Sequence, residues 1–245
     1  MLERRGSEES MGAHLVSSRE VCVSAAGLPL AATLSWPSPC QGVIVFSHGS
    51  GSSRFSPRNR SVAASLQEAG WATLLLDLLT PEEAQVDADT RRWRFDIPLL
   101  AQRLTGAVDW LSDERRVARE ALPALPLGLF GASTGAAAAL ITAAPRPTAV
   151  GAIVCRGGRP DLAPVALPSV RCPTLFIVGA ADPEVLALNQ RALAAMTAPH
   201  HLAVVPGASH LFAEPGALEA VCVLTRECFA HSLSPANAHP ASPSP

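Results

Sequence analysis

The segment LPLGLFGASTGAAAALITAA, residues 125–144, places one serine, Ser133, between Gly131 and Gly135. The apolar run before the serine predicts a buried strand, and the alanine-rich run after it predicts a helix. G-x-S-x-G between a strand and a helix is typical of a nucleophile elbow, the strained turn that exposes a catalytic serine. The alternative is a glycine-rich turn that contains a serine by chance.

The rest of the chain alternates between predicted strands and helices. Continuous apolar runs predict strands buried on both faces at residues 42–48, 71–79, 150–156, 173–180 and 201–207. Helices are predicted at residues 56–69, 97–111, 183–196 and 216–231. A hairpin is expected at residues 20–24 and 30–35. This order predicts an α/β fold with a single doubly wound, mostly parallel sheet and no large cap domain.

The predicted domain spans residues 19–232. Residues 1–18 are polar, and we expect a loose N-terminus there. Residues 233–245 are rich in proline and serine, a composition typical of a disordered tail.

Composition limits the partners and the chemistry. A formal net charge of −2 argues against nucleic acid or an anionic membrane as the main partner, so we expect a small-molecule substrate. All 19 basic residues are arginine and the chain has no tyrosine, which excludes lysine Schiff bases and tyrosine acid–base roles. Catalysis is left to Ser, Cys, His, Asp and Glu.

The six cysteines indicate a reducing compartment. They form no C-x-x-C pair and no ligand-like pair with histidine, and several lie in apolar runs, so we interpret them as reduced thiols in a cytoplasmic protein. The first residues lack the apolar stretch of a signal peptide, and no apolar run reaches the roughly 20 residues that span a bilayer. No metal site and no cofactor are predicted.

A serine hydroxyl needs a base, and His210 is the candidate because it follows the strand predicted at 201–207. The alternative is a loop histidine that packs on Phe212. Asp182 follows the strand at 173–180 and is the candidate acid that orients the imidazole. Its alternative role is to cap the helix that begins at Pro183.

Two backbone amides are expected to form an oxyanion hole. One is that of Thr134, directly after the elbow serine. The other is that of Ser50, in the loop SHGSGSS at residues 47–53, which also contains His48. A phosphate cradle is the alternative for this loop, but the loop lacks both G-K-[ST] and G-x-G-x-x-G.

Substrate contacts are less constrained by the sequence. The candidates are Arg58, Arg156, Arg159 and Trp93. A guanidinium in the site would indicate a carboxylate on the substrate, whereas pairing with acids such as Asp161 would be structural. Trp93 belongs to the polar segment 79–96, which is the loop long enough to reach over the site. The alternative for Trp93 is a structural role in which its side chain packs against the sheet.

Four segments together resemble the α/β-hydrolase superfamily, and more closely the bacterial proteins related to dienelactone hydrolase. They are HGSGSSRFSPRNR, FGASTGAAAAL, CRGGRPDLA and PGASHLF. The resemblance covers about residues 21–231. It implies a triad of Ser133, Asp182 and His210. Some such proteins are joined to a phosphoribosyltransferase domain, which has no counterpart in these 245 residues, so we expect no nucleotide chemistry.

One departure from the family pattern affects the expected activity. Dienelactone hydrolases proper use a cysteine nucleophile, whereas this chain has Ser133. The chain is therefore predicted to be a serine hydrolase that cleaves a small carboxylic ester or lactone through an acyl-enzyme. The alternatives are a binding or regulatory module with an idle site and, more remotely, a metal-dependent hydrolase.

Overall fold

The computed structural model describes residues 15–113 and 125–234, which form one sheet of eight strands. The strands are β1 (Leu15–Ala25), β2 (Leu28–Ser38), β3 (Gly42–Ser47), β4 (Trp71–Leu76), β5 (Leu127–Ala132), β6 (Ala152–Arg156), β7 (Thr174–Gly179) and β8 (His200–Val205). Their order across the sheet is β1-β2-β4-β3-β5-β6-β7-β8. β2 is antiparallel to β1 and β4, and β3 to β8 are parallel, so the predicted mostly parallel sheet is confirmed.

Helices cover both faces of this sheet. They are α1 (Pro57–Glu68), α2 (Pro81–Thr90), α3 (Ile97–Ser112), α4 (Thr134–Ala143), α5 (Pro183–Leu193) and α6 (Ala217–Ser232). One apolar core packs α3 and α4 against the sheet, and a second core packs α1 and α6 against the opposite face. β3, β4, β5, β6 and β7 are buried at every position, as strands covered on both faces must be.

The sequence boundaries agree with most elements, and two regions differ. β1 begins at Leu15, inside the segment expected to be loose, because cross-strand pairing with β2 continues to the pair Leu15–Ser38 although these residues are exposed. Residues 81–90, expected to be a loop, form α2. The expectations for residues 1–14 and for the tail from residue 235 lie outside the described residues.

α2 begins with a reciprocal cap that its polar sequence does contain. The Thr80 hydroxyl accepts from the backbone N–H of Glu83, and the Glu83 carboxylate accepts from the backbone N–H of Thr80. Pro81 occupies the first helical position, where no backbone donor is needed. The helix has few apolar residues, so hydrophobic periodicity missed it whereas the capping signal predicts it.

Glu83 also pairs with an arginine of the core. Its two carboxylate oxygens accept from Arg103 at 2.8 and 2.9 Å, and the Arg103 side chain is only 2% exposed. The hydrogen bonds from Arg103 hold the pKa of Glu83 below its usual value. This pair anchors α2 to α3. Within the described ranges, no helix is long and apolar enough to cross a membrane.

Glu83→Gln should destabilise the fold by leaving the Arg103 guanidinium buried without a counter-charge. Removing one partner of such a pair predicts a loss of about 3 kcal/mol in the free energy of unfolding at pH 7. Urea denaturation followed by tryptophan fluorescence measures it. The matched control, Glu82→Gln, changes the exposed neighbouring carboxylate and should change this free energy by less than about 0.5 kcal/mol.

The same pair predicts a pH dependence. The pKa of Glu83 is lowered in the folded state. Its contribution to the free energy of unfolding is therefore fully present above the unfolded-state pKa of 4.5 and is lost as the pH falls through the folded-state pKa. The difference in unfolding free energy between the wild type and Glu83→Gln should therefore shrink below pH 4.5. A difference that stays constant from pH 7 to pH 3 would contradict this role.

Candidate active site

Ser133 lies on a strained turn between β5 and α4. Its backbone has φ 52° and ψ −119°, a conformation that non-glycine residues rarely adopt. Hydrogen bonds hold the turn: the Ser133 N–H donates to the carbonyl of Arg156, and the Ser133 carbonyl accepts from the N–H groups of Ala136 and Arg159, all at 3.1 Å. The side chain does not cap α4, which leaves the hydroxyl available to the space beyond the strand end.

The two glycines of the motif are required by close packing. A Cβ atom on Gly131 would lie 2.5 Å from the Cα of Ala136, and one on Gly135 would lie 2.3 Å from the carbonyl oxygen of Ser47. Both neighbours are backbone atoms, which cannot move aside as a flexible side chain would. Glycine at these positions lets α4 approach both its own strand and the end of β3.

His210 and Asp182 are joined by a hydrogen bond. His210 Nδ1–H donates to Asp182 Oδ2 at 2.7 Å, and the Asp182 side chain is 14% exposed. Asp182 stands at the N-cap position of α5, but its side chain makes no capping hydrogen bond. Of its two predicted roles, the carboxylate therefore takes the contact with the imidazole.

His210 lies against the same strand end that holds the Ser133 turn. A Cβ atom on Gly157 would be 3.3 Å from His210 Cε1, and Gly157 follows the residue whose carbonyl binds the Ser133 N–H. The Glu214 carboxylate fixes the loop by accepting from the Ser209 N–H at 3.1 Å. With Nδ1 bonded to Asp182, Nε2 is the nitrogen left for a proton transfer in the pocket that Ser133 also lines.

The loop after β3 passes beside Ser133. Gly49 to Ser52 form a turn in which the Ser52 N–H donates to the Gly49 carbonyl at 3.2 Å. A Cβ atom on Gly49 would lie 3.2 Å from that of Ser133, so the loop and the serine are in close contact. Thr134 is the first residue of α4, where the backbone N–H has no acceptor within the helix. The structure thus brings both predicted oxyanion donors, Ser50 and Thr134, close to Ser133.

His48 holds this loop in place through hydrogen bonds, a role that was not predicted from the sequence. Its Nδ1–H donates to the Gly49 carbonyl at 2.9 Å, and its Nε2 accepts from the Leu78 N–H at 3.1 Å. The ring is buried, and burial lowers its pKa below the usual value of 6.5. A neutral imidazole is required because Nε2 must accept a hydrogen bond.

A pocket of about 430 Å³, partly open to solvent, contains Ser133 and His210. It is lined by Gly49, Ser50, Ser52, Ser56, Arg58, Asn59, Ser133, Arg156, His210 and Leu211. Two of the four candidate substrate-binding residues therefore reach it, Arg58 and Arg156. No carboxylate is among these lining residues, so the pocket is positively charged.

Arg156 is a buried cation without a counter-ion in the described part of the chain. The residue is 8% exposed, and its Nε and Nη1 atoms are buried with no hydrogen-bond partner. Burial and the charge of Arg58 lower the pKa of Arg156 to about 10. The guanidinium lies over the ring of Phe212 at 5.9 Å from its centroid.

Arg159 and Trp93 do not line this pocket. Arg159 makes two hydrogen bonds of 2.8 Å to the Asp161 carboxylate, the structural pairing that was its alternative. Trp93 donates its backbone N–H to Asp87, and Arg92 lies over its ring. Both side chains stabilise their own segments, and the contact of Arg159 with the site is made by its backbone N–H, which donates to the Ser133 carbonyl.

The segment around α2 covers a different space. A second pocket of about 530 Å³ lies on the other side of the loop Gly49–Ser52 and is bordered by His48, Leu79, Ala84, Ala88 and Leu100. An ion pair between Asp87 and Arg94 borders it as well. Residues of the segment 79–96 thus border this second pocket, and none of them lines the pocket of Ser133.

Other nucleophiles are poorly placed for catalysis. Cys155 and Cys172 are buried, and burial raises the pKa of both thiols, to about 12 for Cys172. A thiol with a raised pKa is a weak nucleophile at neutral pH. Residues 15–113 and 125–234 contain no group of three or more His, Cys, Asp or Glu residues arranged to hold a metal ion.

A mostly parallel sheet with a serine elbow at the end of a central strand defines an α/β-hydrolase fold. Within this fold, residues 29–229 match the model of the Dienelactone hydrolase family, and the chain belongs to that family. The crystal structure of a dienelactone hydrolase from Anabaena variabilis is 52% identical and superposes with a TM-score of 0.86, covering 90% of this chain and all of that one.

Two further comparisons differ in what they cover. A Mycobacterium tuberculosis protein named "Putative phosphoribosyl transferase" is 52% identical over 214 residues, which are 87% of this chain but 46% of that protein. The chain thus spans less than half the length of this curated relative. Est1E from Butyrivibrio proteoclasticus shares the fold at 15% identity, with a TM-score of 0.68 over 87% of this chain and 98% of that one.

The buried His48 predicts a loss of stability on acidification. Because the folded-state pKa lies below 6.5, the unfolded state binds the proton first. The contribution of His48 to the free energy of unfolding is therefore fully present well above pH 6.5 and should decrease as the pH falls below 6.5. Denaturant titrations at pH 7.5, 6.5 and 5.5 measure this slope.

His48→Gln removes the titrating group but keeps an acceptor and a donor, so the slope between pH 6.5 and 5.5 should flatten. His201→Gln changes an exposed histidine of β8 and should keep the wild-type slope. Equal slopes in all three proteins would show that His48 does not cause the acid sensitivity.

Proposed function

We propose that this chain is a serine hydrolase that cleaves small carboxylic esters or lactones through an acyl-enzyme on Ser133. One observation carries the proposal: the 2.7 Å hydrogen bond between His210 Nδ1 and Asp182 Oδ2, at a pocket that Ser133 shares. This arrangement leaves the other imidazole nitrogen free to act as a base. The family match supports a hydrolase.

In the first half of the reaction, His210 Nε2 accepts the proton of the Ser133 hydroxyl as its oxygen attacks the ester carbonyl. Negative charge develops on the carbonyl oxygen, and the backbone N–H groups of Ser50 and Thr134 stabilise it. Asp182 stabilises the imidazolium that forms and keeps the ring in the required tautomer. The imidazolium then protonates the leaving alkoxide, and the C–O bond of the ester breaks.

In the second half, water replaces the alcohol. His210 accepts a proton from the water as its oxygen attacks the acyl carbon, and the same two amides stabilise the second tetrahedral intermediate. Collapse releases the carboxylic acid and returns the proton to Ser133. With a lactone substrate, the leaving alcohol stays attached to the acyl group, and the product is a single hydroxy acid.

The name of the Mycobacterium tuberculosis relative does not support transferase chemistry here. The chain spans 46% of that protein, and residues 29–229 match the Dienelactone hydrolase family. The alternative function to be distinguished is instead that of a binding module with the hydrolase fold and an idle site. Such a module would bind ligands in the pocket of Ser133 but would not form an acyl-enzyme.

A fluorophosphonate probe should label the wild type at Ser133, and Ser133→Ala should abolish the labelling. For the hydrolysis of p-nitrophenyl acetate, the kcat of Ser133→Ala should be lower than that of the wild type by about 10⁴-fold or more, because the hydroxyl is the attacking group. Ser169→Ala is the matched control, since it changes an exposed serine away from the pocket. A Ser133→Ala preparation that keeps full esterase activity, or a wild type that neither reacts with the probe nor hydrolyses the ester, would overturn the proposal.

Asp182→Asn tests the orienting role separately. Asparagine presents an N–H donor where the carboxylate accepts from His210, so the wrong imidazole tautomer is favoured and kcat should fall on the order of 10⁴-fold. KM should change little because Asp182 is not among the residues that line the pocket. Asp89→Asn, at an exposed position of α2, should match the wild type. Equal kcat values for both variants would exclude Asp182 from the mechanism.

A further inference from the structure

Two arginines of the Ser133 pocket combine the absence of a described carboxylate partner with a buried Nε atom that has no hydrogen-bond partner among the described residues. Five described arginines form ion pairs with carboxylates, namely Arg54, Arg94, Arg103, Arg146 and Arg159. Arg156 and Arg58 have no such pair within the described ranges, and each has a buried Nε atom without a hydrogen-bond partner. The pocket therefore holds guanidinium donors that no described side chain satisfies.

This arrangement is unfavourable in the absence of a ligand. A buried unpaired charge and a buried donor without an acceptor each destabilise a fold. The two cations also repel each other, and burial together with this repulsion lowers the pKa of Arg156 to about 10. A counter-ion supplied by the ligand would remove both penalties at once, and perturbed groups of this kind cluster at functional sites.

The start of α1 adds a third source of positive potential. Ser56 is the N-cap of this helix, Pro57 and Arg58 follow it, and the first turn contains no acidic residue. The helix N-terminus favours an anion and disfavours a cation, so Arg58 stands where the helix dipole is least favourable for it. The hydroxyl-bearing residues Ser52 and Ser56 border the same pocket. The helix terminus and the unpartnered Arg156 are independent observations that indicate an anion here.

The residues that line the pocket limit the charge of a ligand that would fit it. No carboxylate lines the pocket, so a single substrate carboxylate would neutralise only one of the two guanidinium groups. A phosphate monoester carries a charge of about −1.5 to −2 at pH 7 and offers three acceptor oxygens. Guanidinium forks bind such oxygens in pairs.

We propose that Arg156, Arg58 and the N-terminus of α1 bind a phosphate monoester group on the substrate, so that the enzyme cleaves short esters or lactones that carry this dianion. The inference rests on the proposed ester hydrolysis at Ser133. The Arg156 carbonyl accepts the Ser133 N–H at 3.1 Å, so the cation and the nucleophile are attached to neighbouring backbone. Ser133, Arg58 and Arg156 also line one small pocket, so we expect the phosphate to lie only a few bonds from the scissile carbonyl.

A matched pair of small ligands tests the proposal without any turnover. Methyl phosphate is a dianion above pH 7, whereas dimethyl phosphate is a monoanion of similar shape. In calorimetric titrations at pH 8 and low salt, methyl phosphate should bind at least about tenfold tighter than dimethyl phosphate or acetate, since each added charged hydrogen bond has this effect. Equal affinity for methyl and dimethyl phosphate would overturn the proposal.

Variants assign the binding to the pocket. Arg58→Gln and Arg156→Gln should each weaken methyl phosphate binding by about tenfold or more, because each removes a charged donor. Arg60→Gln is the matched control: it removes an exposed arginine of the same helix and should alter the affinity by less than about twofold. If Arg156→Gln does not fold, Arg58→Gln decides alone. An equal loss in Arg58→Gln and Arg60→Gln would show that the anion is attracted by general surface charge and would overturn the proposal.

Ser133→Ala separates this inference from the proposed hydrolysis. The variant should bind methyl phosphate as the wild type does, because Ser133 supplies no charge to the anion. Wild-type enzyme that hydrolyses p-nitrophenyl acetate but binds both phosphates equally would overturn the phosphate site alone. Protein that prefers methyl phosphate, yet shows no esterase activity and no probe labelling, would overturn the hydrolase proposal and leave the dianion site standing as a binding site.

Discussion

The backbone of Ser133, at φ 52° and ψ −119°, is the constraint around which the site is built. A non-glycine residue in such a conformation costs on the order of 1–3 kcal/mol, so it persists only where the surroundings fix it. The hydrogen bond from Ser133 to the Arg156 carbonyl ties this turn to β6, and Gly135 lets α4 contact the end of β3. Arg156 thus holds the turn through its backbone and charges the pocket through its side chain, so the proposed nucleophile and the proposed anion site share one residue.

The loop Gly49–Ser52 is a second structural element on which the site depends, because its residues border two pockets. One face borders the pocket of Ser133, and the other borders the space beneath α2. His48 holds the loop at the Gly49 carbonyl and is itself held by the Leu78 N–H just beyond β4. α2 is anchored by Glu83 to Arg103 and does not line the Ser133 pocket. The position of the loop Gly49–Ser52 therefore depends on a neutral His48 imidazole, because its Nε2 must accept a hydrogen bond.

The features of the fold and the site that depend on short stretches of sequence could be predicted. Apolar runs revealed the buried strands, and the residues after them placed Ser133, Asp182 and His210 at one edge of the sheet. α2 was missed because its signal is a cap and not an apolar period. The roles of the two arginines could not be predicted from the sequence. Arg156 and Arg159 lie only three residues apart, and the surroundings of each depend on where the chain turns after β6. That turn puts Arg159 beside Asp161 and leaves Arg156 inside the pocket.

The lowered pKa of Arg156 bears on the charge of the pocket at different pH values. At about 10 it still lies well above neutrality, so the guanidinium remains charged at neutral pH. An anion bound there would oppose the repulsion from Arg58 and raise the pKa of Arg156 towards its usual range. Anion binding and arginine protonation are thus linked, and the linkage appears only in alkaline solution. At neutral pH the pocket remains positive within a chain whose formal net charge is −2, a contrast that would favour the approach of an anionic ligand.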